Sequence, residues 1–364
     1  MARYAPEPPF RHDRPQRTGV LLVNLGTPAA PTPEAVRPFL REFLSDPRVI
    51  ELPRWLWQTI LHLFILPRRP KANAQKYASI WLDEGSPLEV YTERLTHALE
   101  SHWTERGREP LVRWAMRYGE PSVAKVLARM KEEGLRRLLV VPLYPQYCAS
   151  TTASVFDAVA AELMRWRDVP ELRLVRHWHD DPRYIEALAQ TLETHWAQHG
   201  RPDKLILSFH GMPRRTLELG DPYHCECHKT ARLVAERLRL APDQWLVTFQ
   251  SRFGRARWLE PYTQPTLERL AREGVARVDV LCPGFATDCL ETLEEIGMEC
   301  RTAFLEAGGK QFHYVPCLND SPFWVERFAA LLEDHLGQWP DRTPATDEEQ
   351  QARLARAKAM GAKQ

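Results

Sequence analysis

Within Asp203-Lys-Leu-Ile-Leu-Ser-Phe-His-Gly-Met-Pro-Arg-Arg-Thr216, residues 205–208 read as a short buried strand. The strand runs straight into His210-Gly-Met-Pro213. Gly211 allows a backbone turn that a side chain would forbid, and Pro213 cannot continue through the middle of a sheet. A histidine is thereby presented at the carboxyl end of a strand, where open α/β sheets bind ligands. Its imidazole can take a proton or hold a metal near neutral pH. On position alone, a histidine that only closes a loop fits equally well.

Working outward, the same strand-then-exit pattern recurs at 19–26, 111–118, 138–145, 172–178, 245–251, 278–283 and 312–317. Helical patterns fill the gaps at 32–44, 71–80, 87–106, 121–133 and 154–166, and another opens at Asp180-Asp-Pro182. Strict strand–helix alternation predicts parallel sheets with helices on both faces. The two halves also echo each other. Asn24-Leu-Gly-Thr-Pro28 resembles Phe209-His-Gly-Met-Pro213, and Arg117-Tyr-Gly119 resembles Arg252-Phe-Gly254. The expected fold is therefore α/β, with two similar Rossmann-like domains. Each is a four-stranded parallel sheet flanked by helices, and the active site lies in the cleft between them. The expected divisions are an arm at 1–18, domains at 19–182 and 183–338, and a charged tail at 339–364.

The first half is longer because of an insertion at about 50–92, and its oddest part is 52–69, Leu-Pro-Arg-Trp-Leu-Trp-Gln-Thr-Ile-Leu-His-Leu-Phe-Ile-Leu-Pro-Arg-Arg. Residues 55–66 are mostly apolar, broken by Gln58, Thr59 and His62, with arginines at both ends. The run is too short to span a bilayer. It reads either as a buried core helix or as a lip over a large apolar ligand, touching a membrane interface through Trp and Arg. Its place in an insertion at a strand exit favours the lip.

Composition narrows the classes. The chain has 364 residues, 44% hydrophobic and 27% charged, with a net charge of +1. Near-neutrality argues against a nucleic-acid footprint. Seven scattered cysteines, an odd number, suit free thiols in a reducing, cytoplasmic setting. Residues 1–18 lack the apolar core of a signal peptide.

The second chemical cluster follows the strand at 278–283. Asp288 reads as a helix N-cap, and Glu291, Glu295 and Glu299 recur at i, i+4, i+8. On an α-helix that spacing stacks three carboxylates on one face, and they repel unless a cation or proton relieves them. The alternative is a solvated acidic face. A histidine facing such a ladder suits divalent-metal handling or proton relay. No G-x-G-x-x-G or Walker pattern is present to favour a nucleotide. His224-Cys-Glu-Cys-His228 is dense in donors but lacks a second cysteine pair for a structural zinc site.

Ser208-Phe-His-Gly-Met-Pro213 together with Pro283-Gly-Phe-Ala-Thr-Asp-Cys-Leu-Glu-Thr-Leu-Glu-Glu-Ile296 resembles the ferrochelatase family, whose members insert ferrous iron into a porphyrin to make haem. Leu22-Val-Asn-Leu-Gly-Thr-Pro28, Gly85-Ser-Pro87, Met116-Arg-Tyr118, Leu143-Tyr-Pro-Gln-Tyr147 and Gly220-Asp-Pro-Tyr223 extend the resemblance over roughly 18–338. The resemblance implies a lyase acting on protoporphyrin IX and Fe2+, with two pyrrole protons released. His210 and Glu291 would be the catalytic and metal-contacting pair, and Asp288, Glu295 and Glu299 a proton or metal relay. Leu25, Trp55, Leu56, Ile60, Phe64, Arg117, Tyr118 and Tyr147 would line the porphyrin. No permanently bound cofactor is implied. An iron–sulfur cluster is not expected, because no cysteine follows Cys317. Nucleic acid is not an expected partner. A peripheral membrane contact and a homodimer stay open, as do a chelatase for coproporphyrin or cobalt and a non-catalytic porphyrin or haem binder.

Overall fold

The computed structural model describes residues 4–9, 11–13, 15–254, 256–341 and 346–363. Eight strands form two four-stranded sheets. β1 (Arg17–Gly26), β2 (Leu111–Tyr118), β3 (Leu135–Pro142) and β4 (Glu171–Leu174) lie in the order β2-β1-β3-β4. β5 (Lys204–His210), β6 (Trp245–Gln250), β7 (Arg277–Leu281) and β8 (Gln311–Val315) repeat that order as β6-β5-β7-β8. Every pairing is parallel. Val20 to Val23 of β1 and Leu205 to Leu207 of β5 are buried, as continuous apolar strands covered on both faces must be.

The helices between the sheets belong to both halves. Trp103 on Pro87–Thr104, Leu188 on Pro182–His199, Val234 on Tyr223–Arg237 and Phe328 on Pro322–Leu336 share one apolar core with Leu22 and Leu207. Trp324 stacks on Phe328 at 4.7 Å and on Trp178 at 5.5 Å. The Trp103 indole N–H donates to Glu333 at 2.9 Å, tying the last core helix back to the first half. Each such buried side chain contributes about 1.5–3 kcal/mol. The two sheets thus share one packed layer.

β4 is shorter than the 172–178 expected. The chain leaves the ladder after Leu174, and Trp178 then turns into the aromatic stack of the shared layer. β5 runs on to His210 itself. Gly211 is required for close approach rather than for a turn. Its N–H donates to the Gln250 carbonyl at 2.7 Å, and a Cβ there would sit 2.5 Å from that oxygen. Gly26 is the residue that turns, at φ +116°, with a Cβ position only 1.8 Å from the Tyr118 carbonyl oxygen.

The internal echo also needs correcting. Asn24 lies opposite Met116 and Phe209 opposite Phe249, and Met116 and Phe249 each donate their N–H at 2.8 Å, to the Pro121 and Pro261 carbonyls. Leu25 therefore matches His210. Arg117 and Tyr118 match Gln250 and Ser251, not Arg252 and Phe253. The loop before Pro261 is longer than the one before Pro121, which shifts the look-alike Arg-Phe-Gly downstream.

In the insertion, the helix Arg54–Ile60 continues as a π-helical turn, Leu61–Ile65. One face of this segment is buried, as a core helix would be, and the other is exposed. Trp57, Leu61 and Leu66 are buried with Val36, Tyr77 and Tyr118. Trp55, Leu63 and Phe64 are 76%, 62% and 54% exposed. Among the described residues no helix is long and apolar enough to cross a membrane.

The arm lies on the first half through Ala5 N–H to the Arg165 carbonyl at 2.8 Å and an ion pair of Glu7 with Lys131. Its residues 1–3, 10 and 14 lie outside the described residues. The ordered packing extends to Asp341, whose carbonyl accepts from Thr18 N–H at 2.8 Å. In the tail, residues 342–345 lie outside the described residues, and a helix with no buried residue, Asp347–Ala359, follows.

Candidate active site

His210 ends β5 with its carbonyl held by the Tyr223 hydroxyl at 3.0 Å. Its Nδ1 lies 2.6 Å from the Gly211 carbonyl oxygen. A carbonyl can only accept, so Nδ1 carries the hydrogen and Nε2 is left as the basic nitrogen. The ring sits beside Phe285, centroid to centroid 6.5 Å.

Across from His210 in the sheet register stands Gln250. Its amide oxygen accepts from the Ser208 hydroxyl at 2.8 Å, and its amide nitrogen donates to the Glu291 carbonyl at 2.7 Å. One side chain therefore couples the strand that carries His210 to the helix that carries Glu291.

That helix, Glu291–Cys300, is π-helical. The i, i+4, i+8 row expected on an α-helix is split, because a π-helix aligns residues five apart. Glu294 and Glu299 share Lys76, at 3.0 and 2.7 Å, on the helix Arg69–Ala78 of the insertion. Glu295 turns instead to Ser251, accepting its N–H at 2.6 Å and its hydroxyl. Ser251 holds a left-handed backbone, φ +62°, to make both bonds. Burial pushes the Glu295 carboxyl above its usual range, and the Glu291 charge adds to this. The Ser251 bonds and the His210 ring pull the other way. Glu295 is thus in electrostatic contact with both residues of the expected pair.

Glu291 is half-buried and faces groups from the first half. Burial, reinforced by the Glu291 charge, pushes the phenols of Tyr77 and Tyr144 well above their ordinary value. The Cys289 thiol is raised by the same two causes. All three remain protonated, and the Tyr144 hydroxyl is buried without a hydrogen-bond partner. Leu25 and Ile60 pack in one apolar cluster with Leu290, the residue before Glu291. The inner face of the insertion and the acidic helix therefore meet.

Other expected site residues are placed differently. Asp288 is 2% exposed and faces inward within the second half. It accepts from Thr292 Oγ1 at 3.0 Å, Asn319 Nδ2 at 2.7 Å and the Tyr314 hydroxyl. It holds a side chain of the helix rather than capping a free helix N–H, and these bonds leave it little part in a relay. Tyr118 is 1% exposed, with its hydroxyl on Asp46 at 2.8 Å, so it stands behind the wall rather than in it. Arg117 bonds Ser154 Oγ at 2.7 Å and pairs with Asp46. Trp55, Leu56 and Phe64 lie on the outer, exposed face of the insertion. Tyr147 is half-buried under Arg176, 4.4 Å from its ring centroid. In the His224-to-His228 motif the two histidine rings meet, centroids 4.4 Å apart, but the cysteines and Glu226 do not join them. His224 and His228 lie against Phe249, Cys227 is buried, Cys225 is exposed, and Glu226 points elsewhere. Among the described residues all seven cysteines are free thiols.

Gln250, Ser251 and Lys76 escaped the sequence reading. The available signal was a polar Gln-Ser pair closing the strand beside His210. Nothing in the sequence marks Lys76, whose role depends on the insertion folding back onto a π-helix.

Comparison with known proteins assigns the chain to a family. The family model described as Ferrochelatase matches residues 17–336. Proteins named ferrochelatase from Aromatoleum aromaticum and an Azoarcus species are each 60% identical to this chain, over 363 and 362 residues, and the matches cover 100% of this chain and 100% and 99% of theirs. Among solved structures, SirB from Bacillus subtilis with Fe3+ superposes with a TM-score of 0.53 at 13% identity, covering 90% of this chain and 100% of that one. At that identity the likeness concerns the fold alone. The full-length matches, with His210 and the acidic helix brought to one end of the second sheet, establish that this chain belongs to the ferrochelatase family.

Proposed function

We propose that the protein inserts Fe2+ into protoporphyrin IX to form protohaem, as a lyase that releases two pyrrole protons. The observation that carries the reading is the Gln250 bridge, which ties the strand ending in His210 to the main chain at Glu291, with the Glu295 carboxyl beside both the His210 ring and the Glu291 charge, in a chain of this family. Protoporphyrin brings two N–H groups, and Fe2+ replaces both hydrogens, so the charge balances only if the site takes up two protons. His210 Nε2 is the first acceptor. Glu295, raised by burial, accepts a proton more readily than an ordinary carboxylate and passes it on beside Glu291. Glu299, 48% exposed, offers the exit to water. Leu25 and Ile60 supply the apolar wall for the ring, and Tyr144 offers an unpaired hydroxyl to a polar edge. The free thiols are consistent with a reducing compartment.

The test is anaerobic Fe2+ insertion into protoporphyrin IX followed by porphyrin absorbance, in wild type and His210→Ala. Loss of a positioned general base lowers kcat by roughly 10²–10⁴-fold, while porphyrin binding by fluorescence quenching persists. Equal loss of binding and turnover would leave a porphyrin carrier. Faster insertion of Co2+, or into coproporphyrin, would reassign the substrate.

A further inference from the structure

Outside the His210 site, a second cluster of donor atoms is buried where the two halves touch. His177 and His179 lie just beyond β4 of the first half, and Glu226 lies on the helix Tyr223–Arg237 of the second. His177 Nδ1 is 2.8 Å from Glu226 Oε1, and His179 Nδ1 is 3.3 Å from Oε2. The three donor atoms lie within 4.8 Å of one another. His179 and Glu226 are 3% and 6% exposed.

Hydrogen bonding alone does not account for this arrangement. His179 Nδ1 is buried and faces Oε2 without hydrogen-bond geometry, so a buried ring nitrogen has no partner. Such a group normally costs stability. Ligands about 2.0–2.1 Å from a tetrahedral ion are separated from one another by roughly 3.3 Å; the His179–Glu226 spacing equals that, the His177–Glu226 spacing of 2.8 Å is shorter, and all three donors stay within 4.8 Å. The Tyr147 N–H fixes the carboxylate by donating to Oε2 at 2.6 Å. Arg176 is the cation in contact with the donors, 3.4 Å from His177 Nδ1 and 3.8 Å from Oε1, while Lys229 is paired with Asp180, whose carboxylate lies 3.9 Å from His179 Nδ1. Arg176 is half exposed and can swing to solvent. A rival cluster, His195, Asp279 and His313, is already served. Arg277 donates to both Asp279 oxygens at 3.2 Å, and Trp196 donates to one at 3.0 Å.

We propose that His177, His179 and Glu226 form a second binding site, for a first-row divalent transition metal, distinct from the insertion site. Two imidazoles and a carboxylate suit Fe2+, Co2+, Ni2+ or Zn2+ and not Mg2+ or Ca2+. The ion ties the exit of β4 to the second half, beside the exit loop of β3, and so braces one wall of the junction.

The probe is Co2+, titrated into full-length His210→Ala protein at pH 7.5, so that the insertion-site imidazole does not contribute. One equivalent binds, with the visible absorption of low-coordinate Co2+, and the melting temperature rises. Glu226→Gln in that background keeps an acceptor for the Tyr147 N–H and weakens Co2+ binding at least tenfold. His179→Ala does the same, and in both variants the Co2+-induced melting shift disappears. No Co2+ binding by His210→Ala overturns the site, and so does binding that survives both changes. If one variant misfolds by circular dichroism, the other decides. The titration does not depend on iron insertion, so failure of the insertion assay leaves it readable.

Discussion

Positions 117–118 and 250–251 are equivalent in the two sheets, and each pair holds a carboxylate, with opposite electrostatic outcomes. In the first half Arg117, Tyr118 and Ser154 converge on Asp46. Burial opposes ionisation of Asp46, but the Ser154 bond, the Arg48 N–H, Tyr118 and the Arg117 charge win, and its carboxyl is held below the usual range. In the second half Gln250 and Ser251 hold Glu295 with no lysine or arginine pairing to it among the described residues, and burial wins over the Ser251 bonds and the His210 ring, so its carboxyl is raised. The same backbone is used once to lock a charge and once to keep a proton within reach. The first half has to anchor a long insertion and uses its strand exit as a clamp. The second half carries no such load, and its exit is free for chemistry.

The largest expected effect is on the clamp. Asp46→Asn leaves the Arg117 guanidinium, with only 19% of its side chain exposed, facing a neutral partner. Breaking a buried pair costs about 3–5 kcal/mol, and urea unfolding at pH 7 should read a loss near the lower end of that range. A loss under about 1 kcal/mol would mean the network is no clamp.

Next is Glu295→Gln. It should leave the fold intact and lower kcat at least tenfold with KM little changed, because the amide keeps Ser251 as a donor but accepts no proton. A variant with wild-type kcat would remove Glu295 from the proton route.

The comparison sharpens when both are followed against pH. A carboxyl lowered on folding contributes stability above its unfolded value, and this is lost as pH falls through its folded value. The deficit of Asp46→Asn relative to wild type should therefore shrink on acidification below pH 4. A carboxyl raised on folding works the other way. Its stabilising contribution is complete below the unfolded value and is lost as pH rises through the folded one. Glu295→Gln should thus gain on wild type as pH rises above the usual carboxylate range. Unfolding midpoints that move in the same direction for both variants would contradict the assignment.

Much of this was legible in the sequence, for definite reasons. Strands buried on both faces read as unbroken apolar runs, and Val20 to Val23 could not be mistaken. His210 was legible because Gly211 and Pro213 bracket it. The split of the acidic row was not, since α and π turns differ by less than one residue per turn and Glu291-x-x-x-Glu295-x-x-x-Glu299 satisfies the α pattern fully. Tyr118 was misplaced because its sequence neighbours match the family wall, whereas its burial depends on Asp46, far away in the chain. The Arg117 echo failed because a longer loop moved a similar tripeptide out of register.

The smallest expected effect lies where the two halves meet through Lys76. This lysine, 39% exposed, bridges the insertion to Glu294 and Glu299. Burial lowers its affinity for the proton, but the two glutamates more than compensate and hold it raised. Glu294 is also raised, mainly by burial, in spite of Lys76. A carboxyl already reluctant to ionise can answer loss of its cation by keeping its proton instead of by unfolding. Lys76→Met should therefore cost under about 1 kcal/mol, the range of partly exposed ion pairs. That cost should grow with pH as Glu294 ionises and fade in high salt. A cost above about 2 kcal/mol that salt does not touch would show that the insertion is fastened here as firmly as at Asp46, and the contrast between a clamped half and a free half would lose its basis.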